Sequence, residues 1–591
     1  MKTSLTLLLA FAAGLLTPIS PAVAQSRSLY DWAWVARLGA TTLPGSTGGS
    51  SFAPSFNQPE SLAADATGNV LIAGLYDPDV IFGAPTPRYQ NAVGPLGALE
   101  SSYVAKYTPA GALAWSLNLT SNGDTRVTDA AMDAAGNSYV IGRYYQQLRV
   151  DGTTVALAGT SAPCFLAKIG PTGTLLWATT IEPDAAGGSS VQLQRLAVDA
   201  VGNSVVQGEF EGSVTINGTT FAGARSSRHA IVLRYNQLGG ITGGFAAYTT
   251  AGTESDHGFT GIALATTGET YLGGYVAPAA TLQFGTLPAL TGPANANAAG
   301  FVLKLSAANT ASWLISTTGP ARQSTTTASG QGVDKIMIGP QNRCYAVGGL
   351  IGSSMAFGAF SLSTGNPAAA TGKDIFLARI APSGTIESLV GGGGTDKILG
   401  LALGPQGEAT IATAGGLDWG NVRLPGAAWP TSTTTGLVQL DAAGVPQRGW
   451  QAGGRFFTAA VAVDGLNRPV LAGTYFEASP FTFGTRQLAS PYSWNTIIAR
   501  TALLSLAARQ AAQVAGLEVY PNPARNVVDI RTAQAGPVQV QLLDALGRCV
   551  QAQTLPTGQT RLPLASIAAG SYTLLVRQGE ARSYHRLTVE P

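Results

Sequence analysis

Four aspartates in loops that precede repeated segments are the best candidates in this sequence for binding a metal ion. They are Asp124, Asp256, Asp334 and Asp396. If these loops converge on one rim of the fold, carboxylate and carbonyl oxygens could hold Ca²⁺ there, because calcium prefers oxygen ligands. The loops lack the dense Asp-x-Asp-x-Asp spacing of a dedicated calcium loop. We therefore expect no resident cofactor and keep calcium as the alternative.

Histidine chemistry has few candidates, because the chain contains only His229, His257 and His585. They form no metal-binding pair at i, i+4 spacing. Only His257, which follows Thr253-Glu254-Ser255-Asp256, has neighbours that suggest a catalytic base, and we expect a solvated loop histidine instead. A paired-carboxylate glycosidase site is a further possibility, but no pair stands out from the repeats. The sequence therefore predicts no catalytic residue and no enzyme.

One phrase recurs along most of the chain, most clearly as LAVDAVGNSVVQG ending at Gly208. The other copies end 60 to 74 residues apart, at Gly74, Gly142, Gly274, Gly348, Thr413 and Gly473. Self-similarity at a nearly fixed period is typical of repeat architectures. The candidate residues must therefore be positioned by repeated elements.

Each copy reads as four short strands. A first strand is followed by a turn such as Asp-x-x-Gly-Asn, a second strand, a variable loop that often contains Phe-Gly, a third strand and a fourth strand. The second position of the first strand is alanine in six copies and Met337 in one, which fits crowding near an axis. Seven copies of four strands predict an all-β, seven-bladed β-propeller.

A column of basic or polar residues marks the third strands: Lys106, Lys168, Arg234, Lys304, Arg379, Gln439 and Arg500. Alternation places the column on one face. One interpretation is a basic ring that captures an anion. The other, which we expect, is an outward stripe whose aliphatic stems cover the neighbouring strand.

Tryptophans mark the fourth strands, at Trp115, Trp177, Trp313 or Trp450. The seventh copy lacks this strand, but Asp31–Leu38 near the N-terminus resembles it and carries Trp34. We predict that this N-terminal strand closes the last blade and removes an open edge. The sixth copy has Ala409–Thr413 where the usual second strand would be, and we expect an irregular blade there.

The order of these motifs (Ala-x-Asp-x-x-Gly-Asn-x-Tyr-Val-x-Gly, Phe-Gly, Phe-Leu-Ala-Lys and Leu-x-Trp) resembles the SBBP-type bacterial β-propeller repeats across residues 30–503. This resemblance supports the propeller prediction.

After a linker at 505–516, residues 517–591 change in style. Short strands between turn signals predict a small Ig-like β-sandwich. The motifs in this segment are Tyr520-Pro521-Asn522-Pro523, Asp544 with Gly547, Gly570 with Tyr572, and Leu587 with Val589. Together they resemble the type A C-terminal sorting domain of the type IX (Por) secretion system, which implies export across the outer membrane with the secretion machinery as partner. An ordinary Ig-like binding module is the alternative.

The N-terminus has the pattern of a signal peptide over residues 1–24, with Lys2, an apolar run from Leu5 to Leu16, and a small-x-small site before cleavage between Ala24 and Gln25. The apolar run is too short for a permanent membrane anchor, and we expect no transmembrane span. The propeller is then predicted over residues 25–504.

The net charge limits the class of partner that we expect. At +2 it gives no reason to expect that the protein binds nucleic acid. Together with the signal peptide, the sorting-domain resemblance and the lack of a catalytic residue, this leads us to predict a monomeric, secreted or cell-surface, non-enzymatic scaffold. It would bind an extracellular protein or glycan, including an adhesion role. The alternatives are a polysaccharide-acting hydrolase or lyase that uses one propeller face, and a structural surface-layer component.

Overall fold

The computed structural model describes most of the chain, in segments separated by gaps. The described residues are 32–39, 56–77, 79–83, 88–90, 93–94, 97–98, 100–157, 163–185, 188–251, 257–293, 298–319, 332–350, 354–363, 373–395, 397–414, 416–420, 422–424, 434–453, 456–475, 481–483, 486–488, 495–502, 514–544, 549–557, 560–579 and 581–591. Residues 1–24 with the predicted Ala24/Gln25 cleavage site, together with Asp256, Asp396 and Gly547, lie outside these ranges.

The chain divides into two compact units, residues 1–503 (the repeat region) and 504–591 (the tail). Described residues in both units are β-strands, turns and connectors, apart from one 3-10 turn at Pro340–Asn342.

The strands of the repeat region follow the sequence repeats, after an N-terminal strand β1 (Trp32–Gly39). Repeat 1 contains β2 (Phe56–Ala64), β3 (Val70–Asp77), β4 (Asp79–Phe82), β5 (Tyr89–Gln90), β6 (Val93–Gly94), β7 (Gly97–Ala98), β8 (Ser101–Tyr107) and β9 (Leu113–Thr120). Repeat 2 contains β10 (Arg126–Met132), β11 (Ser138–Arg143), β12 (Gln147–Val150), β13 (Thr153–Leu157), β14 (Cys164–Ile169) and β15 (Leu175–Ile181). Repeat 3 contains β16 (Ser190–Val198), β17 (Ser204–Glu211), β18 (Ser213–Ile216), β19 (Thr219–Ala222), β20 (His229–Tyr235) and β21 (Ile241–Ala251).

The later repeats have the same order. Repeat 4 contains β22 (His257–Leu264), β23 (Thr270–Val276), β24 (Thr281–Phe284), β25 (Leu290–Thr291), β26 (Ala299–Leu305) and β27 (Ala311–Thr318). Repeat 5 contains β28 (Gly332–Ile338), β29 (Cys344–Leu350), β30 (Ser354–Phe357), β31 (Phe360–Ser363), β32 (Lys373–Ile380) and β33 (Ile386–Thr395). Repeat 6 contains β34 (Lys397–Leu403), β35 (Ala409–Ala414), β36 (Leu417–Trp419), β37 (Val422–Leu424), β38 (Thr434–Leu440) and β39 (Pro446–Gly453). Repeat 7 contains β40 (Phe456–Val463), β41 (Pro469–Tyr475), β42 (Phe481–Phe483), β43 (Arg486–Leu488) and β44 (Asn495–Thr501).

Within each repeat the main strands pair antiparallel in the order first, second, third and fourth, as in β16-β17-β20-β21. The fourth strand of repeat 7 comes from the N-terminus, because β1 pairs with β44 and places Trp34 opposite Arg500. The pairing predicted from Trp34 is therefore present. Repeat 6 is regular, with β35 fully buried between β34 and β38, so the expected irregularity is wrong.

The first strands of successive repeats pack against each other. The neighbours are β2 with β10, β10 with β16, β16 with β22, β22 with β28, β28 with β34, β34 with β40, and β40 with β2. Small side chains make this approach feasible: Ala263, Ala402 and Ala462, at the alanine position of the repeat, are buried.

A short hairpin accounts for much of the variable loop between the second and third strands. In six cases its first strand pairs with the end of the preceding repeat's fourth strand: β4 with β1, β12 with β9, β24 with β21, β30 with β27, β36 with β33, and β42 with β39. The hairpin β18–β19 instead forms its own sheet, and its Thr215 N–H donates to the Asp184 carboxylate at 3.0 Å. The hairpins thus cover part of an edge that would otherwise be open.

The basic column is buried, so the expectation of an outward stripe is wrong. Six of its members are at most 9% exposed, and Arg379 is partly buried. Their side chains reach carbonyl oxygens in the turns of the next repeat: Lys106 donates to Gly136 O at 2.8 Å, and Lys304 donates to Pro382 O at 3.1 Å. The column therefore joins neighbouring repeats, because buried cations need partners of this kind.

The tryptophans form a second link between repeats. The indole N–H of Trp115 donates to Pro171 O at 2.8 Å, and its ring lies over Gly173, which has φ +90°. A side chain at such a glycine would be strained and would also collide with the ring. The same arrangement, with an indole N–H donated to a turn carbonyl and the ring over a glycine, occurs for Trp34 at Gly111, Trp177 at Gly239 and Trp313 at Gly384. Trp450 does not, because Arg448 occupies this position opposite Gln439 and Trp450 is buried in the core.

The tail contains two sheets that share one hydrophobic core. Its strands are β45 (Glu518–Tyr520), β46 (Val527–Arg531), β47 (Val538–Leu543), β48 (Cys549–Leu555), β49 (Arg561–Pro563), β50 (Gly570–Gln578) and β51 (Ala581–Val589). One sheet has the order β45-β46-β49, and the other has the order β48-β47-β50-β51. Alternation sends Val540, Leu542, Leu574 and Val576 into the core between them.

Candidate functional site

A cleft of about 390 Å³ lies at the end of the first strands where the first turn of each repeat is located. Turns of repeats 1, 5, 6 and 7 contribute to it. Its apolar wall consists of Met337, Pro340, Leu403, Pro405 and Val463. Its volume is in the range of small-ligand pockets.

The cleft forms where the turn sequence changes. In repeats 1 and 7 the turn begins with Asp65 or Asp464, whose Oδ1 accepts backbone N–H groups of its own turn. This is the turn role that the sequence predicts for these aspartates. In repeats 5 and 6 Gly339-Pro340 and Gly404-Pro405 stand at the same place. These two turns therefore have no aspartate at the cleft, and in repeat 6 the Glu408 carboxylate accepts the Gln406 N–H at 2.9 Å instead.

The two acids of the cleft already have cationic partners, and that of Asp65 is Lys106, whose Nζ is 3.9 Å from Asp65 Oδ2. Asp464 has a fully buried side chain that contacts Arg468 at 2.8 Å and Arg500 at 3.3 Å. Burial raises the pKa of Asp65, but hydrogen bonds from Asn69 and Thr67 outweigh this effect and leave its pKa below the usual value. The lining is thus mixed, with an apolar wall, polar turn groups and paired charges.

A charged cluster lies at the opposite end of the first strands, between repeats 1 and 2. Arg126 Nη2 is 3.0 Å from Glu60 Oε1, and Arg126 Nη1 is 4.0 Å from Glu100 Oε1. Burial raises the pKa of both carboxyls, although the Arg126 charge opposes the shift. Sequence reasoning missed this cluster; the only available signal was that Glu60 and Glu100 fall outside the repeated phrase.

The predicted calcium residues are distributed over several repeats. Asp124 lies beside the charged cluster, and its Oδ1 accepts the Glu100 backbone N–H at 3.1 Å. Asp334 is partly buried at a bulge of β28 in repeat 5. Asp256 and Asp396 are outside the described ranges. The part of the chain that is described contains no group of three His, Cys, Asp or Glu side chains arranged to hold a metal, and calcium stays a prediction.

The histidines differ from expectation. His257 is 4% exposed at the start of β22, so the expectation of a solvated loop histidine is wrong. It lies within 3.5 Å of Thr249 Oγ1, and the Thr249 backbone N–H donates to His229 Nδ1 at 3.1 Å. Since Nδ1 of His229 accepts, the proton of the neutral ring is on Nε2, which faces Ala224 O at 3.2 Å. Burial lowers the pKa of His229 and favours this neutral form.

In the tail, Asn522 fastens the Tyr520–Pro523 turn to the last strand. Its Nδ2 donates to Arg586 O at 2.8 Å, and its Oδ1 accepts the Thr588 N–H at 2.9 Å. Ala524 continues the contact as a parallel bridge to Val589. The Tyr520–Pro523 turn and the C-terminal strand β51 are therefore joined by hydrogen bonds.

The remaining motif residues support the same sandwich. Tyr572 pairs with Leu587 across β50 and β51, and its hydroxyl donates to Ala568 O at 2.8 Å. Leu587 and Val589 are buried in the core. Gly570 begins β50, and Asp544 follows β47. Gly570, Tyr572, Leu587 and Val589 thus lie on the last two strands, whereas Asp544 lies apart from them after β47.

Residues 518–590 match the model of the secretion system C-terminal sorting domain. The chain therefore ends in a sorting domain. This domain indicates export by type IX secretion to the cell surface or extracellular space, and interaction with the type IX machinery. Within the described residues there is no helix with the length and hydropathy needed to cross a bilayer.

Solved structures similar to the chain are propeller-like. A catalytically inactive virginiamycin B lyase from Staphylococcus aureus, solved with quinupristin, is 10% identical with a TM-score of 0.32, covering 79% of this chain and 99% of that one. A Synechocystis apocarotenoid oxygenase mutant is 11% identical with a TM-score of 0.27, covering 71% and 96%. No curated protein matches the chain.

Proposed function

We propose that this protein is an exported, non-enzymatic binding scaffold whose repeat region is a closed seven-bladed β-propeller. Its ligand would be an extracellular glycan held in the cleft at the first-turn end. The N-terminal strand would close the last blade, and the sorting domain would carry the scaffold to its place of action.

Three contacts support the closed ring. The first strands contact each other in a cyclic order that returns from β40 to β2. The strand β1 pairs with β44. Arg500 in repeat 7 donates to Pro109 O in repeat 1 at 2.9 Å, which is the same kind of link that joins other neighbouring repeats. Ring closure explains all three, because it makes repeat 7 a neighbour of repeat 1.

The observation that carries the binding proposal is the cleft formed by the Gly-Pro turns of repeats 5 and 6. Its apolar wall suits the apolar face of a sugar ring, and the backbone groups of the turns around it suit the ring hydroxyls. Its acids are paired, which favours an uncharged ligand over a cation.

A glycan array of the mature protein tests this proposal, followed by affinity measurement on any hit. Leu403→Trp, which fills the cleft, should weaken binding at least about tenfold, a loss of roughly 1.4 kcal/mol. Leu238→Trp is the control, because Leu238 is 79% exposed in a turn that does not line the cleft. Equal affinity of the two variants, or an array without hits, would contradict the proposal.

A polysaccharide-acting hydrolase or lyase is the second candidate, favoured by the charged cluster. Glu60 and Glu100 flank one guanidinium, and both have raised pKa values, as an acid catalyst at neutral pH requires. A polysaccharide degradation screen with wild type and Glu60→Gln distinguishes the candidates. Turnover that Glu60→Gln abolishes would establish the enzyme and overturn the non-enzymatic proposal.

A further inference from the structure

The arginines of the sorting domain differ in their surroundings on its two sheets. On the three-stranded sheet and beside it, Arg561 is 3.4 Å from the Asp529 carboxylate, and Arg525 is 3.5 Å from Glu590. Arg531 lies over the Tyr520 ring at 5.2 Å. Each of these cations already has a partner within the domain.

The four-stranded sheet has an outward face with a different character. Because Leu574, Val576 and Leu587 point into the core, the alternate residues of β50 and β51 point away from it. Arg577 and Arg586 are exposed there, one on each strand. Arg577 stands opposite Gln539 of β47, and Arg586 stands opposite Thr573.

Apolar side chains are exposed on the same face. Tyr584 is 60% exposed on β51 between the two arginine positions, and Val550 is 44% exposed on the edge strand β48. Ala552, which pairs with Gln541, is also exposed. We name this surface, with Gln539, Val550, Ala552, Arg577, Tyr584 and Arg586, the arginine face.

The cations of the arginine face have no acidic partner among the described residues. Neither Arg577 nor Arg586 has a carboxylate within 4.0 Å in those ranges, and the Arg586 Nε donates only to the Ser571 hydroxyl at 3.1 Å. Exposed guanidinium groups that flank tyrosine and valine are typical of protein interfaces, since arginine and tyrosine are enriched there.

We propose that the arginine face is the surface by which the sorting domain docks on an acidic protein of the export machinery. Carboxylates of the partner would pair with Arg577 and Arg586, and Tyr584 and Val550 would contact its apolar groups. This proposal rests on the export function of the domain. It adds the face that is used and the charge of the partner.

The test uses the full chain in a bacterium with type IX secretion, and measures the fraction exported against the fraction retained in the periplasm. Arg577→Glu/Arg586→Glu should lower the exported fraction at least about fivefold, because attraction becomes repulsion. Arg577→Lys/Arg586→Lys keeps the charge and should export nearly as wild type. Arg525→Glu/Arg561→Glu makes the same change in net charge on the rest of the domain and should also export.

The outcomes separate this proposal from the export function itself. Normal export of Arg577→Glu/Arg586→Glu would overturn the docking face, while failure of a chain without residues 518–590 to leave the periplasm would still support export. Export of that truncated chain would overturn both. Unchanged thermal unfolding of the glutamate variant establishes that it folds, and loss of export by the Arg525→Glu/Arg561→Glu control would also contradict the assignment to one face.

Discussion

The contact between repeats 3 and 4 is one of those that lack the tryptophan link, and it yields a quantitative prediction. At four other contacts a tryptophan lies over a glycine with positive φ. Here Gly243 takes the tryptophan position opposite Arg234, and Asn309, with φ +63°, takes the glycine position. The Asn309 side chain fills the space and accepts a hydrogen bond from Arg234 Nε. The exchange Gly243→Trp/Asn309→Gly should therefore recreate the common link.

The single variants should each destabilise the protein. A Cβ at position 243 would overlap Asn309 Nδ2, so Gly243→Trp alone overpacks the contact and should cost about 1–3 kcal/mol. Asn309→Gly removes a charge-assisted hydrogen bond worth about 1.5–3 kcal/mol. It regains roughly 1 kcal/mol because glycine tolerates positive φ. In the double variant the overlap is absent, so the sum of the single effects should exceed the measured effect by about 2 kcal/mol.

Urea unfolding of the mature protein, followed by circular dichroism, measures this double-mutant cycle. Trp313→Gly sets the scale of a native link, because its indole N–H donates to Pro382 O at 3.0 Å and its ring covers Gly384. If the two substitutions were additive within about 0.5 kcal/mol, the tryptophan and the turn residue would not be coupled, and our account of the links would be refuted.

Three further predictions follow from single side chains. Arg500→Met breaks a fully buried pair with Asp464 and should lower the free energy of unfolding in urea by about 3 kcal/mol. Arg379→Met, at a partly exposed pair with Glu387, should lower it by about 1 kcal/mol. Equal losses would show that burial does not set the strength of these pairs. Burial lowers the pKa of His229 in the folded protein, so the stability from its neutral ring is present above the unfolded pKa of about 6.5 and is lost as the pH falls below that value, by at most about 1.4 kcal/mol per pH unit. His229→Gln should therefore reduce the drop in urea midpoint between pH 7.5 and pH 5.5, and an unchanged drop would assign the pH dependence to other groups. Asn522→Ala removes two hydrogen bonds to β51 and should lower the free energy of unfolding of the sorting domain by about 1–2 kcal/mol. Hydrogen exchange should increase at the Thr588 amide, while the Leu574 amide stays protected.

The sequence predicted the strands well because one strand pattern recurs in seven copies. One copy such as Ala409–Thr413 is ambiguous by itself, and there the expected irregularity was wrong. The prediction that Trp34 belongs with the last repeat succeeded for a different reason. One strand was missing at one end of the chain, and one matching strand was left over at the other.

The candidate sites were harder to predict than the fold. Asp65 and Asp464 follow a local rule, since a turn aspartate bonds its own backbone, and their role was predicted. His229 and His257 are brought together by Thr249 across two repeats, which no local pattern reports. The cleft is equally non-local, because it needs turns from four repeats at once.

The sequence by itself determined the all-β class, the order of the strands in each repeat and the sorting domain at the end, because period-two alternation and turn residues act over a few neighbouring positions. Tertiary structure decided what the outer faces of the strands contact. Alternation correctly placed Lys106 and Arg500 on one face, but it could not report that the turns of the next repeat cover that face. The stripe that was predicted to face solvent is therefore buried and links the repeats. The carbonyl that Lys106 reaches is 30 residues away in sequence, and the one that Arg500 reaches is 391 residues away, so both come within hydrogen-bond distance only after the repeats assemble.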